Sequence, residues 1–372
     1  MGLLRFLLAL SVIIYHFGRG FPNWFIFGGQ AVQAFFIISG FYISLILNEK
    51  YSVTDLRSYF MFFSNRMARL LPFFWFMLIF EYIVRACYNG QFIQILPGAG
   101  LFGIDVWAMV VFLISHLTLI GQDLFLFLGI DATTGKFFFT GDFMSTKPIL
   151  HHMGYNPPVW TLSLEILFYA VAPFLLRRSV RIVAGVMLLS LGLRYIFFTS
   201  GNWPTEPWAN RFFPFEIIYF LGGNLSYRIF ALCKNWKHSK NVGLASLCLL
   251  LLATVFFNFF KIEFLQSLYM TVTEIYYYPA MMLLLPFIFC LSHNSPMDRF
   301  IGDLSYPMYI AHVPVFMAIQ GVNVQFSSHL GLALTLGMAV LAVIWMLRPI
   351  DRWRAQRLQK TVALGEPARA SA

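Results

Sequence analysis

The chain has little charge: of its 372 residues only 11% are Asp, Glu, Lys or Arg, whereas 59% are hydrophobic. A soluble domain carries about 25% charged residues, so the composition excludes an ordinary soluble enzyme or a nucleic-acid-binding module. It predicts instead a helical protein that crosses the membrane several times. The net charge of +10 is then explained by basic loops on the cytoplasmic face rather than by a nucleic-acid partner.

The sequence also lacks paired cysteines, a cleavable leader pattern and an internal repeat. Its four cysteines show no paired spacing, so we predict neither a disulfide framework nor a metal site. No small-residue cleavage site separates the first apolar run from the second. We therefore expect the first run to be a membrane span rather than a removable signal peptide.

Long apolar runs predict about ten transmembrane helices, and the basic residues between them predict the orientation. With the amino terminus inside, most of the 26 Lys and Arg residues fall in cytoplasmic segments, which places both termini in the cytoplasm. The predicted spans are 3–18, 24–47, 70–86, 158–176, 182–199, 213–230, 242–260, 276–292, 303–321 and 329–347.

One further apolar stretch, 101–130, is interrupted by acidic, amide and histidine side chains. We predict a re-entrant or interfacial segment here, because an eleventh span would place the later basic clusters outside. The outer segment 87–157, rich in Gly, Thr and Asp, is predicted to be loop and to suit acceptor binding. The predicted fold class is thus all-α, a polytopic transmembrane helical bundle with a membrane domain, 1–347, and a basic cytoplasmic tail, 348–372.

Two ionisable residues, Arg5 and His16, lie in the first span, where eleven helical positions separate them by about 16 Å. Arg5 can therefore sit at one membrane face while His16 reaches well into the bilayer, where ionisable side chains are costly and mark functional sites. Imidazole takes and returns a proton near neutral pH, so His16 is a candidate general base. The plainer alternative is an arginine at the helix end and a histidine near the outer interface.

Arg66 and Arg69 are three positions apart and so share one face of a helix. They are either ordinary cytoplasmic anchors or a phosphate clamp, because arginine forks match phosphate oxygens. Glu165 lies inside a later span, with Tyr169 four positions on and on the same face. A carboxylate at this depth needs a histidine or arginine partner from another helix, in a catalytic pair or in a purely structural one.

The ninth predicted span carries a further polar set: Ser305, Tyr306, Tyr309 and His312. Ser305 and Tyr309 are four positions apart and share a face. We expect His312 to be a packing residue rather than a second base. Ser39, in the second span, belongs to a stretch of small residues that either packs closely against another helix or lines a ligand tunnel.

Five segments, in chain order, resemble motifs of the acyltransferase-3 family of integral membrane O-acyltransferases and together cover nearly the whole chain. They are RFLLALSVIIYH, FFIISGFYIS, RMARLLPFFW, WTLSLEILFY and DLSYPMYIAHVPV. One departure is Ile166, which stands where the family pattern has a second acidic residue, so that only Glu165 can serve as the inner carboxylate. Another is the altered surroundings of His312, with Ala311 before it and Val313 after it.

The resemblance implies a multi-pass protein of the bacterial inner membrane that moves an acyl group, usually acetyl, from cytoplasmic acyl-CoA to a hydroxyl of an extracytoplasmic polysaccharide or polyprenyl-linked saccharide. Membrane lipid surrounds the enzyme, and neither a metal nor a nucleic acid is expected. His16 is then the general base, and Glu165 orients it or stabilises its imidazolium. Direct transfer is favoured over a covalent acyl-enzyme. The predicted substrate-binding residues are Arg5, Ser39, Arg66, Arg69, Trp160, Tyr169, Tyr309 and His312.

Two other functions use the same features. A proton-coupled transporter or flippase of a saccharide-containing substrate also buries His, Glu and Arg, although the sequence has no inverted repeat with matched broken helices. A scaffold for a polysaccharide-assembly complex would tolerate the loss of His16 and Glu165. Binding of CoA distinguishes the enzyme from both, and proton-dependent uptake identifies the transporter.

Overall fold

A computed structural model shows a bundle of helices. It describes all residues except 19–20, 23, 52, 88–103, 155, 200–206, 209–210, 260–275, 322–327 and 366–372. Parts of the predicted segments 87–157, 101–130, 242–260 and 348–372 therefore lie outside the described residues.

The described residues form thirteen α-helices, most of them built from the apolar runs of the sequence. Short 3-10 turns and π-helical residues, among them the turn Val343–Leu347, join or extend them. The helices are α1 (Gly2–Phe17), α2 (Gly28–Glu49), α3 (Leu56–Cys87), α4 (Val106–Thr118), α5 (Leu150–Met153), α6 (Trp160–Leu175), α7 (Val180–Thr199), α8 (Phe213–Cys233), α9 (Ser239–Val255), α10 (Tyr278–Ser292), α11 (Pro296–Gly321), α12 (Ser328–Ala342) and α13 (Arg348–Gly365).

Five helical stretches are long and apolar enough to cross a membrane, and four further apolar helices are shorter. The long stretches are Gly28–Glu49, Leu56–Cys87, Pro157–Leu175, Val180–Phe197 and Ser328–Gln359. The prediction of a helical membrane protein is therefore confirmed. The number of about ten spans and the cytoplasmic position of both termini stay predictions.

Helix α3 begins well before the predicted span 70–86, because polar residues ahead of that span are also helical and buried. Asn65 is fully buried, and its Nδ2 donates to the hydroxyl of Tyr51 over 2.8 Å. Hydropathy detects only the apolar part of such a helix, whereas tertiary hydrogen bonds make the polar part stable. As a result Arg66 and Arg69 lie in the middle of α3 rather than at its start.

The predicted segment 101–130 holds helix α4, whose 13 residues extend about 20 Å and so fall short of a ~30 Å membrane core. Beyond it, part of the predicted loop forms an antiparallel hairpin of β1 (Leu128–Ile130) and β2 (Phe137–Phe139). Asp131 closes the turn by accepting hydrogen bonds from the backbone N–H and the hydroxyl of both Thr133 and Thr134.

Two close helix contacts position the site. Helices α2 and α8 meet at Gly40 and Gly223: a Cβ at Gly40 would lie 1.9 Å from the Phe220 carbonyl oxygen, so only glycine fits. The start of α1 is capped from α11, because the carboxylate of Asp298 accepts from the backbone N–H of Gly2 at 2.7 Å and of the next residue at 3.0 Å. This cap fixes α1, and with it both predicted ionisable residues of that helix.

Candidate active site

A cavity of about 530 Å³ lies within the bundle, walled by residues of α1, α2, α3, α6, α10, α11 and α13. A larger groove of about 1080 Å³ between α3, α11 and α12 is lined almost wholly by apolar side chains and so offers little chemistry. The smaller cavity instead brings together most of the site residues predicted from the sequence. Those in its walls are Arg5, Ser39, Arg66, Arg69, Glu165, Tyr169 and Tyr309.

One side of this cavity, here called the arginine end, is formed by Arg5, Arg66 and Arg69. Arg69 pairs with Asp303 of α11 at 3.5 Å, and the guanidinium of Arg5 lies 5.9 Å from the ring of Tyr42. Arg66 is only 7% exposed. The structure thus brings arginines from α1 and α3 into the lining of one cavity.

Glu165 lies in the same cavity, and one of its oxygens, Oε1, accepts two hydrogen bonds. Ser39 Oγ donates over 2.6 Å from α2, and the hydroxyl of Tyr169 donates over 2.5 Å from the next turn of α6. Arg69 is close enough for its charge to interact with Glu165. The expected pairing of Glu165 with His16 is not seen, because the carboxylate is engaged on the arginine side of the cavity.

His16 lies in the last turn of α1, outside the cavity wall, with its ring exposed. Its Nδ1 is 3.0 Å from the carbonyl oxygen of Val12. A carbonyl oxygen only accepts, so Nδ1 carries the proton and the neutral ring has its lone pair on Nε2. A general base needs this tautomer, because the lone pair on Nε2 can then accept a proton.

His312 of α11 lies beside His16, with ring centroids 5.2 Å apart; these two residues are here called the histidine end. It is fully buried, and its Nδ1 donates to the Tyr309 carbonyl oxygen over 2.7 Å. Among the described residues, its Nε2 has no hydrogen-bond partner. Whether His312 only packs or also binds substrate stays a prediction.

Tyr309 and Trp160 connect the beginning of α6 to α11 and to Arg211. The Tyr309 hydroxyl donates to the Pro158 carbonyl oxygen over 3.0 Å and accepts from Thr161 Oγ1 over 2.9 Å. Trp160 lies outside the cavity wall, with the guanidinium of Arg211 4.8 Å from its ring centroid. These contacts set the position of α6 and therefore of its glutamate.

Arg211 and Asn156 were not singled out by sequence reasoning. Arg211 covers Trp160, and its charge reaches both His16 and Tyr309. Asn156, 1% exposed and at a φ of 52°, donates from Nδ2 to the Ile310 carbonyl oxygen over 2.9 Å. An arginine among aromatic residues and an Asn ahead of two prolines were the available signals, but each also occurs in ordinary loops.

The predicted tail also contributes to the site. Helix α12 continues through the π-helical turn into α13, and Asp351 of α13 lines the cavity. Arg354 is buried and pairs with Asp351, while Arg357 lies 3.5 Å from Asn65 of α3. Among the described residues no group of three or more His, Cys, Asp or Glu side chains is arranged to hold a metal ion.

Comparison with known proteins agrees with this arrangement. A family model described as an acyltransferase domain, that of the acyltransferase-3 family, matches residues 1–348. Among curated proteins and among solved structures, nothing matches the chain. The matched residues include every predicted site residue and end at the start of α13. The chain is therefore a membrane acyltransferase and belongs to the acyltransferase-3 family.

Proposed function

We propose that the protein is an O-acetyltransferase of the bacterial inner membrane. It moves an acetyl group from cytoplasmic acetyl-CoA to a hydroxyl of an extracytoplasmic polysaccharide or polyprenyl-linked saccharide. The observation that carries the proposal is that one cavity joins three arginines, Arg5, Arg66 and Arg69, to the carboxylate of Glu165. Acetyl-CoA carries phosphates at one end and a thioester at the other, so it needs a cavity that accommodates both groups.

The donor's phosphates suit the arginine end. Arginine binds phosphate oxygens bidentately and keeps its charge when buried. Apolar and aromatic side chains, such as Phe35 and Phe36 of α2, line the same cavity and suit the thin pantetheine arm. The thioester would then lie near Glu165.

A series of ring contacts leads from the cavity to the histidine end. Tyr309 is in the cavity wall, its ring centroid lies 5.8 Å from that of His312, and His312 lies 5.2 Å from His16. His16 is therefore two ring contacts away from the cavity wall, and the proposed reaction requires the thioester carbonyl to reach its exposed side, where an acceptor hydroxyl approaches.

In the proposed reaction, His16 Nε2 takes the proton of the acceptor hydroxyl as its oxygen attacks the thioester carbonyl. The new C–O bond forms, the C–S bond breaks, and the imidazolium returns the proton to the departing thiolate of CoA. Glu165 holds Ser39 and Tyr169 in place rather than orienting His16. The Tyr169 hydroxyl, which lies in the cavity wall, would donate to the developing oxyanion only where the carbonyl is attacked beside Glu165.

The test uses the purified protein in nanodiscs with radiolabelled acetyl-CoA and a panel of lipid-linked oligosaccharides. Label moves to a glycan with the unmodified protein. His16→Ala lowers the rate by about 10²- to 10⁴-fold, the usual contribution of a general base. His238→Ala, which removes an exposed histidine at the start of α9, is the matched control and leaves the rate unchanged.

Three outcomes contradict parts of the proposal. Label retained on the protein indicates an acyl-enzyme and replaces direct transfer. Full turnover in His16→Ala removes His16 from the chemistry. Absence of both transfer and CoA binding, with proton-dependent uptake of a saccharide into vesicles, identifies a transporter instead.

A further inference from the structure

Helix α13 lies beyond the residues that match the family, yet its Asp351 lines the same cavity as the arginine end. The helix is continuous with α12 and packs against α3, which carries Arg66 and Arg69. Arg354 of α13 is 8% exposed, close to the 7% of Arg66. Arg354 pairs with Asp351, which lines the same cavity as Arg66 and Arg69, and the charges of those two arginines act on Arg354, so we treat the three as one cluster.

Two arginines of the cluster have carboxylate partners, and the third does not. Arg69 has Asp303 as a partner, and Arg354 has Asp351. Arg66 makes a ring contact with Phe62 at 5.9 Å but no hydrogen bond or ion pair with any residue that the structure describes.

Two donors in the cluster are unused. The Nε groups of Arg66 and Arg354 are both buried and have no hydrogen-bond partner within the described part of the chain. A buried cation without full hydrogen bonding is costly, so an anion with several acceptor oxygens would complete the cluster. A phosphate monoester, with a charge near −2 and three acceptor oxygens, has this chemistry.

We infer that Arg354 is a binding residue, which with Arg66 and Arg69 forms a three-arginine site for a phosphate monoester. Building on the proposed function, we identify that group as the ribose phosphate of CoA. Asp351 holds Arg354 until the ligand arrives and is then displaced by it. Asp351 suits this exchange, because its side chain is 40% exposed and lies in the cavity wall.

The inference predicts opposite effects for two residues three positions apart on one helix. Arg354→Gln weakens binding of the monoester by about tenfold or more, because it removes charge-assisted hydrogen bonds. Asp351→Asn strengthens binding roughly threefold, because a competing carboxylate is lost. Damage to α13 would weaken binding in both variants, so an increase in Asp351→Asn excludes that explanation.

The experiment measures binding to the full-length protein in nanodiscs by calorimetry. The probes are CoA, dephospho-CoA, which lacks the ribose phosphate, and adenosine 3′,5′-bisphosphate, which carries that phosphate without a pantetheine arm. Arg354→Gln weakens CoA and the bisphosphate but leaves dephospho-CoA unchanged. Arg352→Gln, which removes an exposed arginine of the same helix, leaves all three affinities unchanged.

Equal affinity of the unmodified protein and Arg354→Gln for CoA overturns the inference, even when acetyl transfer is observed. Equal losses for CoA and dephospho-CoA also overturn it, because Arg354 would then act through the helix and not through the phosphate. Arg354-dependent binding of the bisphosphate without acetyl transfer supports the phosphate site and contradicts the proposed function. No binding of any probe to the unmodified protein contradicts both.

Discussion

The arginine end and the histidine end of the site are built by different means. At the arginine end, Arg69 and Arg354 are paired with carboxylates, and Asp303, the partner of Arg69, comes from a different helix. At the histidine end, each Nδ1 bonds to a backbone carbonyl of its own helix: His16 to Val12, and His312 to Tyr309.

This difference has a functional consequence. A backbone carbonyl one turn away is always present in a helix, so the tautomer of His16 does not depend on how the helices pack. The arginines depend on tertiary packing and on the balance of charge, which a bound anion changes. We therefore expect substitutions at the histidine end to change the chemical step and those at the arginine end to change binding.

Glu165 lies between the two ends and gives the strongest test of this division. Glu165→Gln keeps the side-chain shape but removes the charge that holds the hydroxyls of Ser39 and Tyr169. We expect kcat to fall about 100-fold, as for loss of one element that stabilises the transition state, with little change in the KM for acetyl-CoA. Steady-state kinetics in nanodiscs measure both constants.

The matched control is Tyr169→Phe, which keeps the carboxylate and removes one hydrogen bond. It should lower the free energy of unfolding by about 1 kcal/mol and affect kcat less than Glu165→Gln does, unless the tyrosine is the oxyanion donor. A rise in KM alone for Glu165→Gln would assign Glu165 to the arginine end.

At the arginine end, Arg69→Gln should raise the KM for acetyl-CoA about tenfold and leave kcat within a few-fold, because the lost contact is the same in ground and transition states. Arg57→Gln removes an exposed arginine of the same helix and is the control. An equal fall in kcat and in kcat/KM would show that Arg69 contributes to the chemical step.

At the histidine end, His312→Asn distinguishes packing from proton transfer. The Asn amide can still donate to the Tyr309 carbonyl oxygen, whereas Nε2 is removed. We expect kcat to fall less than tenfold and the free energy of unfolding to fall by about 1–2 kcal/mol, because a small cavity is left. A fall in kcat equal to that of His16→Ala would make Nε2 of His312 part of the proton path.

The sequence predicted which residues form the site better than it predicted which of them contact one another. Spacing put Arg66 with Arg69, and Glu165 with Tyr169, on shared helix faces, and the structure brings all four into one cavity. Helical periodicity is a local property and can be counted along the chain. The partner of Glu165 was not predictable in this way, because the approach of Ser39 depends on how α2 packs against α6.

The contribution of α13 was missed for a similar reason. Its basic composition indicated a cytoplasmic tail, and composition does not reveal that Arg354 is buried against α3. The hairpin of β1 and β2 was missed because its strands have three residues each, too few for a period-2 pattern to be recognised. The Gly, Thr and Asp content of the segment predicted loop, and within it Asp131 and the two threonines form the turn between the strands.

The hairpin lies outside both ends of the site and should give the smallest effect. Hydrogen bonds from the Thr133 hydroxyl and from the backbone of Thr133 and Thr134 lower the pKa of Asp131 from 3.8 to about 2. A lowered folded-state pKa stabilises the turn above pH 3.8, and this contribution is lost as the pH falls toward 2. Amide exchange of Thr133 and Thr134 should therefore accelerate over that window.

Asp131→Asn should remove this pH dependence and leave the acetyl-transfer rate within about twofold, because surface changes away from a site have small effects. A large loss of transfer in Asp131→Asn, with binding of CoA intact, would instead assign the hairpin to acceptor binding.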